Sequence, residues 1–267
     1  MKAKFAILLI IIAVTFSCQE RKEATQENEV LEQTTHKTEK HWSYEGETGA
    51  EHWKEFEKES DCGGEFQSPI NIVDIAAVYE PNLNELEIHY GAATKILDVT
   101  NNGHSIQYNF EKEDYINFNG DKYELNQIHF HEASEHTING IRFPMEIHFV
   151  HLNKDNKITV LGVLVQEGKS SSQFEFLETY LPLNVGETKE INMPFDLNLN
   201  LPLNKDYYSY AGSLTTPPCS EGVNWFVFKE PITISLEQVE KIRAFMPLNN
   251  FRNEQKMNGR IVKKTFK

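Results

Sequence analysis

The chain has 267 residues, a net charge of −14 and 39% hydrophobic residues with 17 Phe, ample for one sizeable core. So acidic a chain is a poor partner for a phosphate backbone, and it carries no basic patch with interleaved aromatics, so nucleic acid is excluded as a partner. The charge instead favours solubility.

Lys2 and Lys4 precede an apolar run from Phe5 to Phe16, followed by Ser17 and Cys18. This reads as an export signal over residues 1–17. The run is too short for a membrane span, which needs about 20 residues. Cys18 stands where a bacterial lipoprotein signal carries its lipidated cysteine, and VTFSC resembles that box while departing from it at Thr15 and Phe16. Cys18 is therefore a candidate lipidation site, with simple cleavage nearby as the alternative. Either way the expected location is the periplasm or cell envelope of a bacterium. The segment that follows, to Lys40, is rich in Glu, Gln, Thr and Lys and predicts a flexible tether over residues 18–40. A lipid at Cys18 is the only membrane attachment expected.

From His41 to the end the chain predicts one domain. Cys62 and Cys219 form an even pair in an exported chain, which invites a disulfide. The segments LEIHY, KILDVTN, SIQYNF, YINFNG, NQIHFH, MEIHFVHL, ITVLGVLV and NWFVFKEPITI are rich in Ile, Val, Phe and Tyr. They are bounded by Asn, Gly, Asp and Lys clusters and read as strands. Two helices are expected: SSQFEFLETYLP, stopped at Pro182, and SLEQVEKIRAFM, with Ser235 as N-cap and Glu237 and Gln238 in its first turn.

The stretch NQIHFHEASEH holds three of the ten histidines. In a strand, His129 and His131 share one face while Ile128 and Phe130 share the other. MEIHFVHLN puts Glu146 and His148 on one face and Ile147, Phe149 and His151 on the other. Two histidines from one strand and a third from its neighbour would give three nitrogen ligands and an open fourth position, the arrangement of catalytic zinc. Imidazole suits zinc, though copper and nickel also accept it. Gln127 and Glu146 each lie two residues before a histidine on the same face, as candidate acceptors for the second ring nitrogen. Parity leaves the third ligand open among His136, His148 and His151. HEASEH is one residue too long for the metalloprotease helix H-E-x-x-H, because His131 and His136 are five apart.

Several segments, in order, resemble the alpha-class carbonic anhydrases: HWSYEG and EHW, QSPINI, NNGHS, QIHFHEASEH, MEIHFVH, GSLTTPPCSEGVNWFVF, then NNFR and NGR. The resemblance covers nearly all of residues 41–267. It implies a mostly β fold, a central and mainly antiparallel twisted sheet of about ten strands with short peripheral helices. It implies reversible, zinc-dependent hydration of carbon dioxide to bicarbonate and a proton, with one Zn2+ held by His129, His131 and His148 at the bottom of a cone-shaped cleft. Gln127, Glu146 and the backbone carbonyl of Asn250 match the acceptors behind those histidines. Thr215 and Glu135 match the pair that orients the nucleophile. Val150, Val160, Leu214, Val223 and Trp225 match the wall where carbon dioxide rests, together with the backbone N–H of Thr215. His104 matches the proton shuttle, and Tyr44, Asn102, Gln107 and Thr216 match the holders of its water chain. Cys62 and Cys219 match the disulfide of secreted members, and Ser68–Pro69 and Pro217–Pro218 are expected to be cis. Glu132 and Phe251 stand where animal members commonly have Trp. Noncatalytic relatives typically lose a zinc histidine, and this chain keeps all three, which speaks against a binding or adhesion module; a broad zinc esterase would share the site.

Overall fold

Alternating Ile, Val, Phe and Tyr bury one face of each strand, and a chain with many such strands and few helical repeats builds its core around a sheet. The computed structural model describes residues 41–267 except 57–58, 82, 84–85 and 182. The export signal, the tether, Cys18 and Pro182 lie outside these residues. The first strands are β1 (Asn71–Ile72), β2 (Val78–Tyr79), β3 (Glu87–His89), β4 (Thr94–Asn101), β5 (Ile106–Phe110), β6 (Tyr115–Phe118), β7 (Asp121–His131) and β8 (Thr137–Ile138). They are followed by β9 (Ile141–Arg142), β10 (Met145–Leu152), β11 (Ile158–Glu167), β12 (Thr188–Phe195), β13 (Tyr207–Ser213), β14 (Glu221–Phe228), β15 (Ile232–Ile234) and β16 (Lys263–Lys264).

Ten strands run side by side in the order β12-β4-β5-β7-β10-β11-β14-β13-β16-β2, and β3, β6 and β15 attach off that path. Most pairs are antiparallel; β11 runs parallel to β14 and β15, and β16 to β2. The expected sheet of about ten strands is present. The helices are short: α1 (Trp53–Phe56), α2 (Ser172–Glu178) and α3 (Leu236–Arg243). Ser235 caps α3 as expected, and Gln238 completes a reciprocal capping box, a device worth about 1 kcal/mol. Helix α2 ends at Glu178, short of the expected stop.

Two strands escape the hydrophobic pattern. β12, TKEINMPF, is an edge strand with a mostly exposed face and an internal Pro194, a composition that edges tolerate. β13, YYSYAGS, mixes Ser, Ala and Gly with its tyrosines. The NWFVFKEPITI segment divides into β14 and β15 at Lys229–Pro231. Between β6 and β7, Asn119 and Gly120 both take positive φ, 53° and 81°, the tight hairpin geometry that Asn-Gly favours.

The larger core lies on the face of the sheet covered by α2 and α3, where Ile128, Phe130, Ile147 and Phe149 join Phe174, Phe226, Val239 and Ile242. This fixes the parity of β7. A one-residue slip would pull Ile128 and Phe130 out of that core, each worth about 1.5–3 kcal/mol when buried, and push histidines in. Cys62 and Cys219 are disulfide-bonded. Ser68–Pro69 and Pro217–Pro218 are cis as expected, and Glu132–Ala133 is cis as well.

Candidate metal centre

Strand register brings the histidines together. His129 on β7 stands opposite His148 on β10, and His131 stands opposite Glu146. The three rings are neighbours, with centroids 5.0 Å (His129–His131), 5.1 Å (His129–His148) and 4.6 Å (His131–His148) apart. One ring nitrogen from each falls in a group no wider than 4.8 Å.

The other three nitrogens are already engaged. His129 Nδ1 meets Gln127 Oε1 at 2.9 Å. His131 Nδ1 meets the Asn250 carbonyl at 2.6 Å. His148 Nε2 meets Glu146 Oε1 at 3.0 Å. Each acceptor requires an N–H, which sets the tautomer and leaves the lone pair on His129 Nε2, His131 Nε2 and His148 Nδ1. His131 Nε2 is buried with no hydrogen-bond partner, a costly state unless something else binds there. Burial is the main cause holding all three rings below the usual imidazole pKa, His131 at about 4. They are therefore neutral at neutral pH, the form a metal needs. A second set, His136, Glu146 and His148, is also compact. Its His136 Nδ1 and Glu146 Oε1 already bond each other at 2.8 Å, so it is a hydrogen-bonded cluster rather than an open one.

Glu146 is the hub behind the cluster. Its Oε2 accepts the backbone N–H groups of Glu135 and His136, and its Oε1 accepts from His136 and His148. Four donors compensate a fully buried charge, and the two histidines keep its pKa well below normal against burial, which alone would raise it. His136 Nε2 continues to the Tyr210 hydroxyl at 2.6 Å, and that hydroxyl to Ser68 Oγ at 2.8 Å. His136 is thus a link in a buried hydrogen-bond chain, and His151 likewise bonds Tyr90. Gly162, opposite His148 on β11, makes room for the hub, since a Cβ there would stand 2.9 Å from Glu146 Oε1. Gly162→Ala is expected to displace that carboxylate and weaken metal binding about 10–100-fold, the scale for a lost outer partner; competition against a chromogenic chelator measures it.

Glu135 Oε2 lies 3.5 Å from His131 Nε2 and 3.9 Å from His148 Nδ1. Burial pushes its carboxyl up to about 7, opposed by the neighbouring His148 ring, a hydrogen bond from Thr215 and the Arg252 backbone N–H. Thr215 is buried at the end of a loop pinned by Leu214 N–H to Ser220 O and Cys219 N–H to Thr216 O. A row of registered residues then runs from Gln127 through Val150 and Val160 to Trp225 across β7, β10, β11 and β14. Val160, Val223 and Trp225 belong to one buried cluster, with Val150 and Leu214 packed on it. The Trp225 ring stands 4.8 Å from that of His148, so the apolar wall adjoins the histidines.

His104 sits in the NNGHS turn, where Asn102 Oδ1 accepts the N–H groups of His104 and Ser105. Gln107, opposite His129, donates to Asn109 Oδ1 at 2.7 Å. The Tyr44 hydroxyl is buried without a protein partner.

The family model for eukaryotic-type carbonic anhydrase matches residues 48–266. The chain belongs to the alpha-carbonic anhydrase family. It is 40% identical over 228 residues to a carbonic anhydrase of Klebsiella pneumoniae, covering 83% of this chain and 90% of the relative. It is also 40% identical over 225 residues to one of Neisseria gonorrhoeae, covering 83% and 87%. Among solved structures, a complex of alpha-carbonic anhydrase from Thermovibrio ammonificans with the inhibitor sulfanilamide superposes with a TM-score of 0.79 at 44% identity, covering 84% of this chain and 98% of the other.

The two departures from animal carbonic anhydrases are accommodated locally: Glu132 faces Arg243 at 3.3 Å, and the Phe251 ring lies 4.5 Å from the Arg142 guanidinium. Sequence reading missed Gly162, Tyr210, Ser68 and Arg252, whose side chain binds Gln67, the Ser68 carbonyl and the Cys62 carbonyl. No local pattern marks them, because their partners lie far along the chain.

Proposed function

We propose that this carbonic anhydrase hydrates carbon dioxide reversibly to bicarbonate and a proton, using one zinc ion held by His129, His131 and His148. The observation that carries the proposal is the set of three neutral rings whose outer nitrogens are fixed by Gln127, Asn250 and Glu146 and whose remaining nitrogens converge. Three nitrogens fit zinc with one open position. When bound, zinc supplies a hydroxide-strength nucleophile at about pH 7, as is known of carbonic anhydrases themselves.

The chain's own residues do the rest. Thr215 Oγ1 donates to Glu135, so only its lone pairs face the nucleophile and set its direction. The Thr215 backbone N–H steadies one oxygen of carbon dioxide. Val150, Val160, Leu214, Val223 and Trp225 hold the substrate without hydrogen bonds and exclude water from it. Thr216, Tyr44, Asn102 and Gln107 order a water chain, and His104 takes the proton from it. X-ray absorption at the zinc edge tests the ligand set: three nitrogens at about 2.0–2.1 Å are expected, and sulfur in the shell would refute it.

The shuttle has its own test. His104→Ala is expected to slow turnover in weak buffer by about 100-fold, the low end of general acid–base effects, while kcat/KM for carbon dioxide stays nearly intact. An imidazole-type buffer should restore much of the loss; unchanged turnover would leave His104 as a turn residue only. We extend the proposal to location: residues 1–17 direct export, Cys18 is lipidated, and residues 18–40 tether the domain to a bacterial envelope. The disulfide supports an oxidising compartment.

A further inference from the structure

His104 is enclosed. The Trp42 indole lies flat on its ring, with centroids 3.6 Å and planes 11° apart. Trp42 is itself held edge-on by Trp53 at 5.1 Å and Tyr44 at 5.5 Å, and Trp53 is fully buried. The two ring nitrogens of His104 differ in kind. Nδ1 is buried with no protein partner. Nε2 stands 2.9 Å from Nε2 of His41, whose side chain is exposed.

We propose that His41 is the outer station of a two-histidine proton relay: it takes the proton from His104 and gives it to solvent. The inference rests on the reading of His104 as the shuttle and adds where the proton goes next. Two neutral imidazoles at that distance share one N–H between two nitrogens. One ring is half-buried under Trp42 and the other is exposed, so the contact has a direction. Burial and the neighbouring His41 push His104 down to about 4.

The step balances without any other reactant. His104 begins with its proton on Nε2 and a lone pair on Nδ1. A proton from water forms the Nδ1–H bond while the Nε2–H bond breaks and an N–H bond forms at His41 Nε2. His41, then protonated on both nitrogens, releases its Nδ1 proton to buffer. Exchange with water returns both rings to their first tautomers.

The test uses the zinc-loaded full chain and three variants: His41→Ala, His104→Ala and the double variant. His41→Ala is expected to slow turnover in weak buffer several-fold while kcat/KM for carbon dioxide holds, with rescue by an imidazole-type buffer. The double variant should be no slower than His104→Ala, because His41 acts only through His104. An unchanged turnover in His41→Ala, or additive losses in the double variant, would overturn the relay and leave the shuttle reading standing. Should His104→Ala itself keep full turnover, the shuttle reading falls and the relay with it. A second readout does not depend on activity: the imidazole 15N resonances of His104 should shift when His41 becomes Ala, and identical spectra would overturn the contact.

Discussion

His148→Ala is expected to leave the protein folded but unable to hold zinc through dialysis, with carbon dioxide hydration at background. The fold should survive because Glu146 keeps three of its four donors: His136 Nδ1 and the N–H groups of Glu135 and His136. The loss should exceed that in Gln127→Ala, which removes only the acceptor behind His129 and should cost about 10–100-fold in affinity. His148 belongs to both compact groups of potential ligands, so His129→Ala is the discriminating partner experiment. If the three-histidine set holds the metal, His129→Ala fails as completely as His148→Ala. Zinc retention in His129→Ala would move the ion to His136, Glu146 and His148.

Removal of the Cys62–Cys219 bond should produce a large stability loss. It spans 157 residues, for which the chain-entropy relation gives about 5 kcal/mol as an upper figure. Total domain stability is about 5–15 kcal/mol, so the loss is a large fraction. For a domain of this size it should lower Tm by about 10–20 °C. Activity should suffer too. Cys219 donates its N–H to the Thr216 carbonyl, and its carbonyl accepts from Gln67, so the bond steadies the loop carrying Thr215. Calorimetry and turnover of the Cys62→Ser/Cys219→Ser variant measure both effects; equal Tm values would show that the bond carries no stability.

The legible parts of the sequence were those written at short range. His129 and His131 declare a shared face by a spacing of two, and Ile128 and Phe130 fix which face is buried. Ser235 and Gln238 announce the start of α3 within four residues. What stayed hidden depends on contacts across the chain. His148 stood level with His136 and His151 by parity, and motif resemblance made the choice. Cross-strand register then put His148 opposite His129. Gly162 looked like an ordinary glycine in an apolar run until β11 packed it against Glu146. β12 was hidden because an edge strand has no need of two apolar faces. The enclosure of His104 by Trp42 joins residues 62 positions apart, and no spacing rule reaches that far.

The most direct test of the central claim is a zinc titration of metal-free protein followed by stopped-flow hydration of carbon dioxide. Activity should rise in proportion to added zinc and stop at one equivalent per chain, with His129→Ala flat throughout. Hydration that saturates at another stoichiometry, or that His129→Ala retains, would contradict a single catalytic zinc on His129, His131 and His148.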